Sequence, residues 1–190
     1  MLCSSIQRYC SEPVAITPLL INQLPIDRKG LTDFTFTRYL VPYLCNYEGK
    51  GLFIDSDTLL RDDISKLFDL DDGKSVSVVN FTDGLMFERP SVMLFNCDQC
   101  KHLTPEYINN PSSMPQTFDW AQTVGDLPRE WNHLVGYSPA QEAKLVHYTQ
   151  GVPGYKECRT CEYAEDWFQE LELVNYHVSW LEIMGGSVHM

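Results

Sequence analysis

Short runs of apolar and β-branched residues recur along the chain, and polar residues, glycines or prolines separate them. Each run has the length of a strand rather than a helix, and its ends carry turn-forming residues. The pattern therefore predicts strands over residues 14–17, 52–54, 75–79, 91–95 and 144–148. The turn at 48–51 leads directly into the second of these runs, and Pro18 ends the first.

Between these runs, apolar positions recur at helical spacing or follow helix-start signals. Thr32 could open a helix over 32–40 that Pro42 bends or ends, and the acids of 62–68 suit a first helical turn. Thr104 before Pro105 has the form of an N-cap followed by proline at the first helical position. The spacing also predicts an amphipathic helix over 161–173, within a helical tail over about 161–183, with Trp167 in the core. Alternating strands and helices predict one α/β domain over 1–190 with a mostly parallel sheet.

Charge and composition narrow the function classes. The 190 residues include 14 Lys and Arg against 26 Asp and Glu, a formal net charge of −12. Such a surface repels phosphate backbones, so we expect no nucleic-acid partner. A nucleotide bound to this chain would need a metal ion to offset its own negative charge.

Location is inferred from what the residue pattern lacks. No apolar run approaches the roughly 18 residues that a membrane-spanning helix needs, so no membrane span is expected. The N-terminus does not pair a basic region with an apolar stretch, as a secretory signal does. Seven cysteines form no compact disulfide framework. We therefore expect a cytoplasmic protein.

Asp55-Ser56-Asp57 follows the run 52–54 directly and carries the clearest chemical signal in the chain. In an α/β sheet, ligands collect at the carboxyl ends of strands. Two carboxylates one residue apart suit a hard cation such as Mg²⁺ or Mn²⁺, which proteins often share with substrate phosphates. The alternative is a solvated acidic turn.

Five landmarks around this motif occur in an order that resembles the GT-A-fold glycosyltransferases, most closely the glycogenin-like family 8 and its bacterial-type relatives. The landmarks are residues 34–42, 52–57, 91–96, 127–132 and 144–151. Each is weakly specific alone, but the ordered set spans about residues 6–168. The resemblance implies a GT-A fold and transfer of a sugar, with retention, from a nucleotide-diphosphate donor, expected to be a UDP-sugar. The acceptor, whether glycan, lipid or protein, is not specified.

The resemblance also implies the site residues. It implies a metal site for Mn²⁺ or Mg²⁺ at Asp55, Asp57 and His147, donor contacts at Asp55, Ser56, Asp57 and Ser91, and catalytic roles for Arg38 and Asp119. Three alternatives stay open: Arg38 as a surface helix arginine, Asp119 as an ordinary loop acid and His147 as a core histidine. A bound cation would stabilise the charge that develops on the leaving nucleoside diphosphate.

Two departures from the family pattern raise other readings. The chain starts where relatives have the middle of their first helix, so the first strand is expected to be missing, and the link between residues 81–83 and Ser91 is short. One alternative is therefore a truncated, catalytically inactive relative that still binds a nucleotide-sugar or metal. A second is a structural zinc protein, in which the pairs Cys97/Cys100 and Cys158/Cys161 supply four thiolates.

Overall fold

The computed structural model of the chain describes residues 1–81, 84–139 and 141–176. The helices are α1 Leu2–Tyr9, α2 Val41–Leu44, α3 Ser65–Phe68, α4 Pro105–Asn109 and α5 Ala164–Asn175. The strands are β1 Lys50–Ile54, β2 Thr58–Leu60, β3 Val76–Val78, β4 Val92–Asn96, β5 Val124–Asp126, β6 His133–Leu134 and β7 Leu145–His147. Short 3₁₀ helices occupy Ile21–Gln23, Thr37–Leu40, Met86–Ser91, Cys97–Gln99, Pro115–Thr117, Arg129–Asn132 and Lys156–Cys158. None of the described helices has the length and apolar character needed to cross a bilayer.

The strands form two mixed sheets. A four-stranded sheet has the order β1-β4-β3-β5, and a three-stranded sheet has the order β2-β7-β6. Among the described strands, the pairs β3/β5 and β6/β7 are parallel and the other three pairs are antiparallel. The α/β class is confirmed, but a mostly parallel sheet is not what forms. Parallel neighbours need long crossovers, usually helical, and the helices α2, α3 and α4 here have only four or five residues each.

Strand β4 is the centre of the core because both of its faces are buried. Met93 and Phe95 point into one hydrophobic cluster, while Val92 and Leu94 point into a second. This alternation follows from the two-residue period of a strand. A third cluster contains Val146, Tyr148 and Trp167, so the prediction that Trp167 packs in the core is confirmed.

Four of the five predicted strands are confirmed, and they are β1, β3, β4 and β7. The predicted strand over 14–17 is wrong, because this segment lies in irregular structure with Val14 39% exposed. A short apolar run does not form a strand without a neighbouring strand to accept its backbone hydrogen bonds.

The predicted helices form with different bounds. Only Thr37–Leu40 of the range 32–40 is helical, and Pro42 lies in the first turn of α2, where its fixed φ is favourable, instead of ending a helix. Thr104 caps α4 as predicted, since its side chain accepts a hydrogen bond from the Tyr107 amide. Helix α5 covers most of 161–173, whereas residues 177–183 of the predicted tail lie outside the described residues.

Helices α1 and α5 are joined through a buried carboxylate. Glu170 of α5 is fully buried, accepts a 2.6 Å hydrogen bond from Ser4 Oγ and pairs with the Arg8 guanidinium. Ser4 and Arg8 both lie on α1. A buried carboxylate is stable only when its oxygens are hydrogen-bonded or paired with a cation. Glu170 therefore fixes α1 against α5.

Replacing this carboxylate should weaken the fold. We expect Glu170→Ala to lower the free energy of unfolding by about 1–3 kcal/mol, because Ser4 and Arg8 lose their acceptor. Urea denaturation followed by circular dichroism measures the change. Glu172→Ala, an exposed position on the same helix, is the control and should stay within about 0.5 kcal/mol of the native value. Equal effects at the two positions would contradict the role of Glu170.

Candidate metal centre

The segment Asp55-Ser56-Asp57 is the turn at which the chain leaves β1 and enters β2. Its backbone is held at both ends. The Asp55 amide donates to the Ser91 carbonyl at 3.0 Å, and Thr58 Oγ1 donates to the Asp55 carbonyl at 2.8 Å. Because β1 belongs to one sheet and β2 to the other, this turn lies where the two sheets meet.

His147 reaches the same place through strand pairing. β7 runs antiparallel to β2 with His147 opposite Thr58, and the Tyr148 amide donates to the Asp57 carbonyl at 3.0 Å. The register of this pair therefore decides that His147, and not its neighbours Val146 or Tyr148, faces the acidic turn. Val146 and Tyr148 instead pack in the third cluster.

Asp55, Asp57 and His147 bring one potential ligand atom each to within 4.8 Å of one another. His147 Nε2 lies 3.4 Å from Asp57 Oδ1. The histidine side chain is 3% exposed, whereas the Asp57 side chain is 43% exposed. The cluster is thus closed on the histidine side and open to solvent at Asp57.

Arg38 contacts the Asp55 carboxylate with both terminal guanidinium nitrogens. Nη2 lies 3.1 Å from Oδ1, and Nη1 donates to Oδ2 at 3.2 Å and to the Pro90 carbonyl at 3.0 Å. The guanidinium carbon lies 4.9 Å from the centre of the Phe53 ring. Arg38, with its side chain 11% exposed, is therefore a mostly buried partner of the acidic turn and not a surface helix arginine. A planar fork of this kind suits bidentate contact with a carboxylate.

The two carboxylates of the turn differ in their electrostatics. Burial raises the pKa of Asp55, although the neighbouring Arg38 and His147 charges oppose this. Burial would also raise the pKa of Asp57, but the hydrogen bond and charge of His147 outweigh it, and the pKa is lowered. Additional positive charge would favour the ionised form of Asp55.

The residues present fit a divalent cation. Two carboxylate oxygens and one imidazole nitrogen form a donor set that suits an ion of the Mg²⁺ or Mn²⁺ type, with the remaining positions left for water or substrate oxygens. The other ring nitrogen of His147 is 2.9 Å from Asn132 Oδ1, so the imidazole is oriented from behind. Such outer contacts accompany most metal-bound histidines.

The remaining predicted residues occupy different surroundings. Ser56 is exposed at the tip of the turn. Ser91 is buried, and its hydroxyl donates to Glu88 Oε2 at 2.8 Å while its carbonyl holds the Asp55 amide. Asp119 accepts a 2.6 Å hydrogen bond from Thr117 and lines a separate cavity with His102, Tyr107 and Trp120.

The sequence reasoning missed Glu88 and Asn132. Glu88 Oε2 lies 3.9 Å from His147 Nδ1, and the Asn132 amide nitrogen donates to the Glu88 carbonyl at 3.2 Å. Asn132 ends the landmark 127–132, so its position was available as a signal. Glu88 had none, because the link in which it lies differs from the family pattern.

The zinc alternative is not supported by the positions of the cysteines. Cys97 and Cys100 are fully buried in the first cluster, where the Cys100 thiol donates to the Ser75 carbonyl at 3.1 Å. Cys161 instead packs against the third cluster, and all seven cysteines are free thiols. Within residues 1–81, 84–139 and 141–176, the one potential metal-binding group found is Asp55, Asp57 and His147.

Comparison with known proteins gives one relative of clear similarity. The chain is 33% identical over 208 residues to Protein CDI of Arabidopsis thaliana, with 90% of this chain and 80% of that protein covered. No protein-family model matches the chain.

Solved glycosyltransferase structures share the fold. The bifunctional glycosyltransferase WbbM superposes with a TM-score of 0.58 at 19% identity over 76% of this chain, which spans only 36% of the WbbM chain. The galactosyltransferase LgtC, solved with donor and acceptor sugar analogues, superposes with a TM-score of 0.53 at 15% identity, over 85% of this chain and 74% of the LgtC chain. The glycosyltransferase GlyE of Streptococcus pneumoniae TIGR4 superposes with a TM-score of 0.53 at 19% identity, over 80% of this chain and 45% of the GlyE chain. These likenesses confirm the predicted GT-A fold, while assignment to family 8 stays a prediction.

The pairing of Arg38 with Asp55 should contribute measurably to the free energy of unfolding. We expect Arg38→Met to lower the free energy of unfolding by about 2–3 kcal/mol, because Asp55 is left partly buried without its cation. Adding Asp55→Asn should recover at least about 1 kcal/mol, since the unpaired charge is then gone. Urea denaturation of the four proteins of this cycle gives the coupling. Arg129→Met, an exposed control, should change stability by less than about 0.5 kcal/mol. Strictly additive effects would contradict the pairing.

Proposed function

This chain belongs to the family of Protein CDI from Arabidopsis thaliana, and from its GT-A fold and acidic turn we propose that it is a metal-dependent glycosyltransferase. It transfers a sugar from a nucleotide-diphosphate donor, proposed to be a UDP-sugar, to a glycan, lipid or protein acceptor. The convergence of Asp55, Asp57 and His147 carries the proposal. Neither the fold nor an acidic turn alone would do so, because folds host many functions and exposed acids are common.

The proposed centre holds Mn²⁺ or Mg²⁺ through Asp55, Asp57 and His147. When bound, the cation supplies Lewis-acid neutralisation of the charge on the leaving nucleoside diphosphate. Asp57 is the most open of the three side chains, so the donor diphosphate approaches from its side. Ser56, exposed beside it, is proposed as a donor contact.

Arg38 acts in this proposal by orienting Asp55. Both of its terminal nitrogens already contact that carboxylate, so we do not assign Arg38 a direct contact with the donor. Ser91 contributes through its carbonyl, which holds the Asp55 amide. The catalytic role of Asp119 stays a prediction, because its hydrogen bond and its cavity involve residues outside the metal centre. Retention of anomeric configuration is also a proposal.

The charge and the cysteines support the proposed setting. A formal charge of −12 disfavours nucleic-acid partners and makes a cation useful for binding a diphosphate. Seven free thiols fit a reducing compartment, and the cytoplasm is the proposed location.

Metal-dependent binding of a nucleoside diphosphate should depend on the acidic turn. We expect the native chain to bind UDP with Mn²⁺ and to lose affinity at least about tenfold with EDTA or with Asp57→Asn, because a ligand of the cation is removed. Isothermal titration calorimetry measures both. Asp98→Asn, an exposed carboxylate in the helix Cys97–Gln99, is the matched control and should bind as the native chain does. No binding of UDP by the native chain with either Mn²⁺ or Mg²⁺ would contradict the proposal.

Turnover separates an enzyme from a binding protein. We expect release of UDP from at least one UDP-sugar in a panel of donors, with a rate that falls at least about a hundredfold in Asp57→Asn and in His147→Ala. A coupled assay for UDP, with and without EDTA, measures the rate. The Asp98→Asn control should keep the native rate. Metal-dependent binding without turnover on any donor or acceptor would favour the inactive relative.

A further inference from the structure

The ring of His147 has a second contact on the side away from the acidic turn. Nδ1 lies 2.9 Å from Asn132 Oδ1, and both side chains are almost completely buried. Asn132 ends the short helix Arg129–Asn132 just before β6, and β6 pairs with β7 so that Leu134 lies opposite His147. The strand ladder therefore holds Asn132 and His147 next to each other.

The orientation of the Asn132 amide is decided by its other partner. One end of the amide faces the backbone carbonyl of Glu88 at 3.2 Å, and a carbonyl can only accept a hydrogen bond. This end must be the NH₂ group, so the amide oxygen faces His147. Because that oxygen can only accept, the hydrogen of the contact belongs to His147 Nδ1.

The neutral ring then carries its lone pair on Nε2. This nitrogen lies 3.4 Å from Asp57 Oδ1, and His147 belongs to the group that includes Asp55. In the neutral ring this lone pair and the carboxylate oxygen have no hydrogen to share, and a cation satisfies both of them, whereas the hydrogen bond from His147 to Asp57 belongs to the protonated ring. With the opposite tautomer, the hydrogen on Nε2 would block metal binding through that atom.

Glu88 is itself held in place. It lies in the helix Met86–Ser91, and its side chain is 13% exposed. Its carboxylate oxygen Oε2 accepts from Ser91 Oγ at 2.8 Å and lies 3.9 Å from His147 Nδ1. A negative charge near Nδ1 favours the hydrogen on that nitrogen. Glu88 thus acts on His147 directly by charge and indirectly through its carbonyl and Asn132.

We propose that Asn132, held by the backbone carbonyl of Glu88, is a positioning residue that fixes His147 as the Nδ1–H tautomer and presents Nε2 to the cation. This role rests on the proposed metal centre, because a fixed tautomer of His147 matters only if Nε2 binds a cation. Outer contacts of this kind set the orientation and basicity of ligating histidines, and their loss typically costs about 10–100-fold in metal affinity.

Two variants of Asn132 separate the acceptor from the volume it fills. Asn132→Leu keeps a similar volume without an acceptor, while Asn132→Asp keeps an acceptor toward Nδ1. Nitrogen-15 NMR of the metal-free proteins, recorded as a pH series that extends until the ring is neutral, reports the tautomer of His147. His147→Gln identifies its signals. Titration with Mn²⁺ alone, followed by electron paramagnetic resonance, gives the affinity.

We expect the Nδ1–H tautomer in the native and Asn132→Asp proteins and a mixture of tautomers in Asn132→Leu. The Mn²⁺ affinity should fall about 10–100-fold in Asn132→Leu and stay within about threefold of native in Asn132→Asp. Leu67→Val, a core change in α3, is the control for general destabilisation and should leave both tautomer and affinity unchanged.

Two outcomes would overturn the proposal. One is the finding that His147 of the native protein carries its hydrogen on Nε2. The other is an Asn132→Leu protein that folds and binds Mn²⁺ with the native affinity. If Asn132→Leu does not fold, the tautomers of the native and Asn132→Asp proteins decide. Absence of Mn²⁺ binding by the native protein would contradict the proposed metal centre itself, whereas loss confined to Asn132→Leu supports both.

Discussion

The candidate site depends on how the chain passes from one sheet to the other. Asp55-Ser56-Asp57 is the whole connection between β1 of the four-stranded sheet and β2 of the three-stranded sheet. Backbone hydrogen bonds to Ser91 on one side and to Tyr148 on the other hold this turn to both sheets. The acidic side chains are therefore placed by two strand ladders and do not depend on a free loop. The register of β2 with β7 then brings His147 to the same point.

A second feature is the short helix Met86–Ser91, which contacts most parts of the centre. Its Pro90 carbonyl accepts from Arg38, its Glu88 carbonyl accepts from Asn132, and its Ser91 carbonyl accepts from the Asp55 amide. Backbone carbonyls are fixed acceptors, so one short helix can hold two side chains and a backbone amide at once. The link that the sequence comparison marked as short is thus a structural support of the centre.

Electrostatics explain why the centre suits a cation more than a neutral ligand. Arg38 supplies one opposing charge to Asp55, yet burial still raises the pKa of that carboxyl. Asp57 is held ionised beside a buried histidine, and it is open to solvent on its outer side. The carboxylates of Asp55, Asp57 and Glu88 surround His147 where the two sheets meet, in a chain whose formal charge is already −12. A divalent ion would balance the negative charge of these carboxylates and that of a bound diphosphate.

The sequence by itself determined the local features. Apolar runs predicted β1, β3, β4 and β7, the Thr104-Pro105 pair predicted the start of α4, and the order of motifs predicted the GT-A fold. Local pattern succeeds there because burial and capping depend on a few neighbouring residues. Only the tertiary structure decided the mixed sheets, the irregular course of 14–17, the separation of the cysteine pairs and the contacts of Glu88 and Asn132. Strand direction, register and hydrogen bonds between distant segments depend on how the whole chain packs, and no short stretch of sequence carries that information.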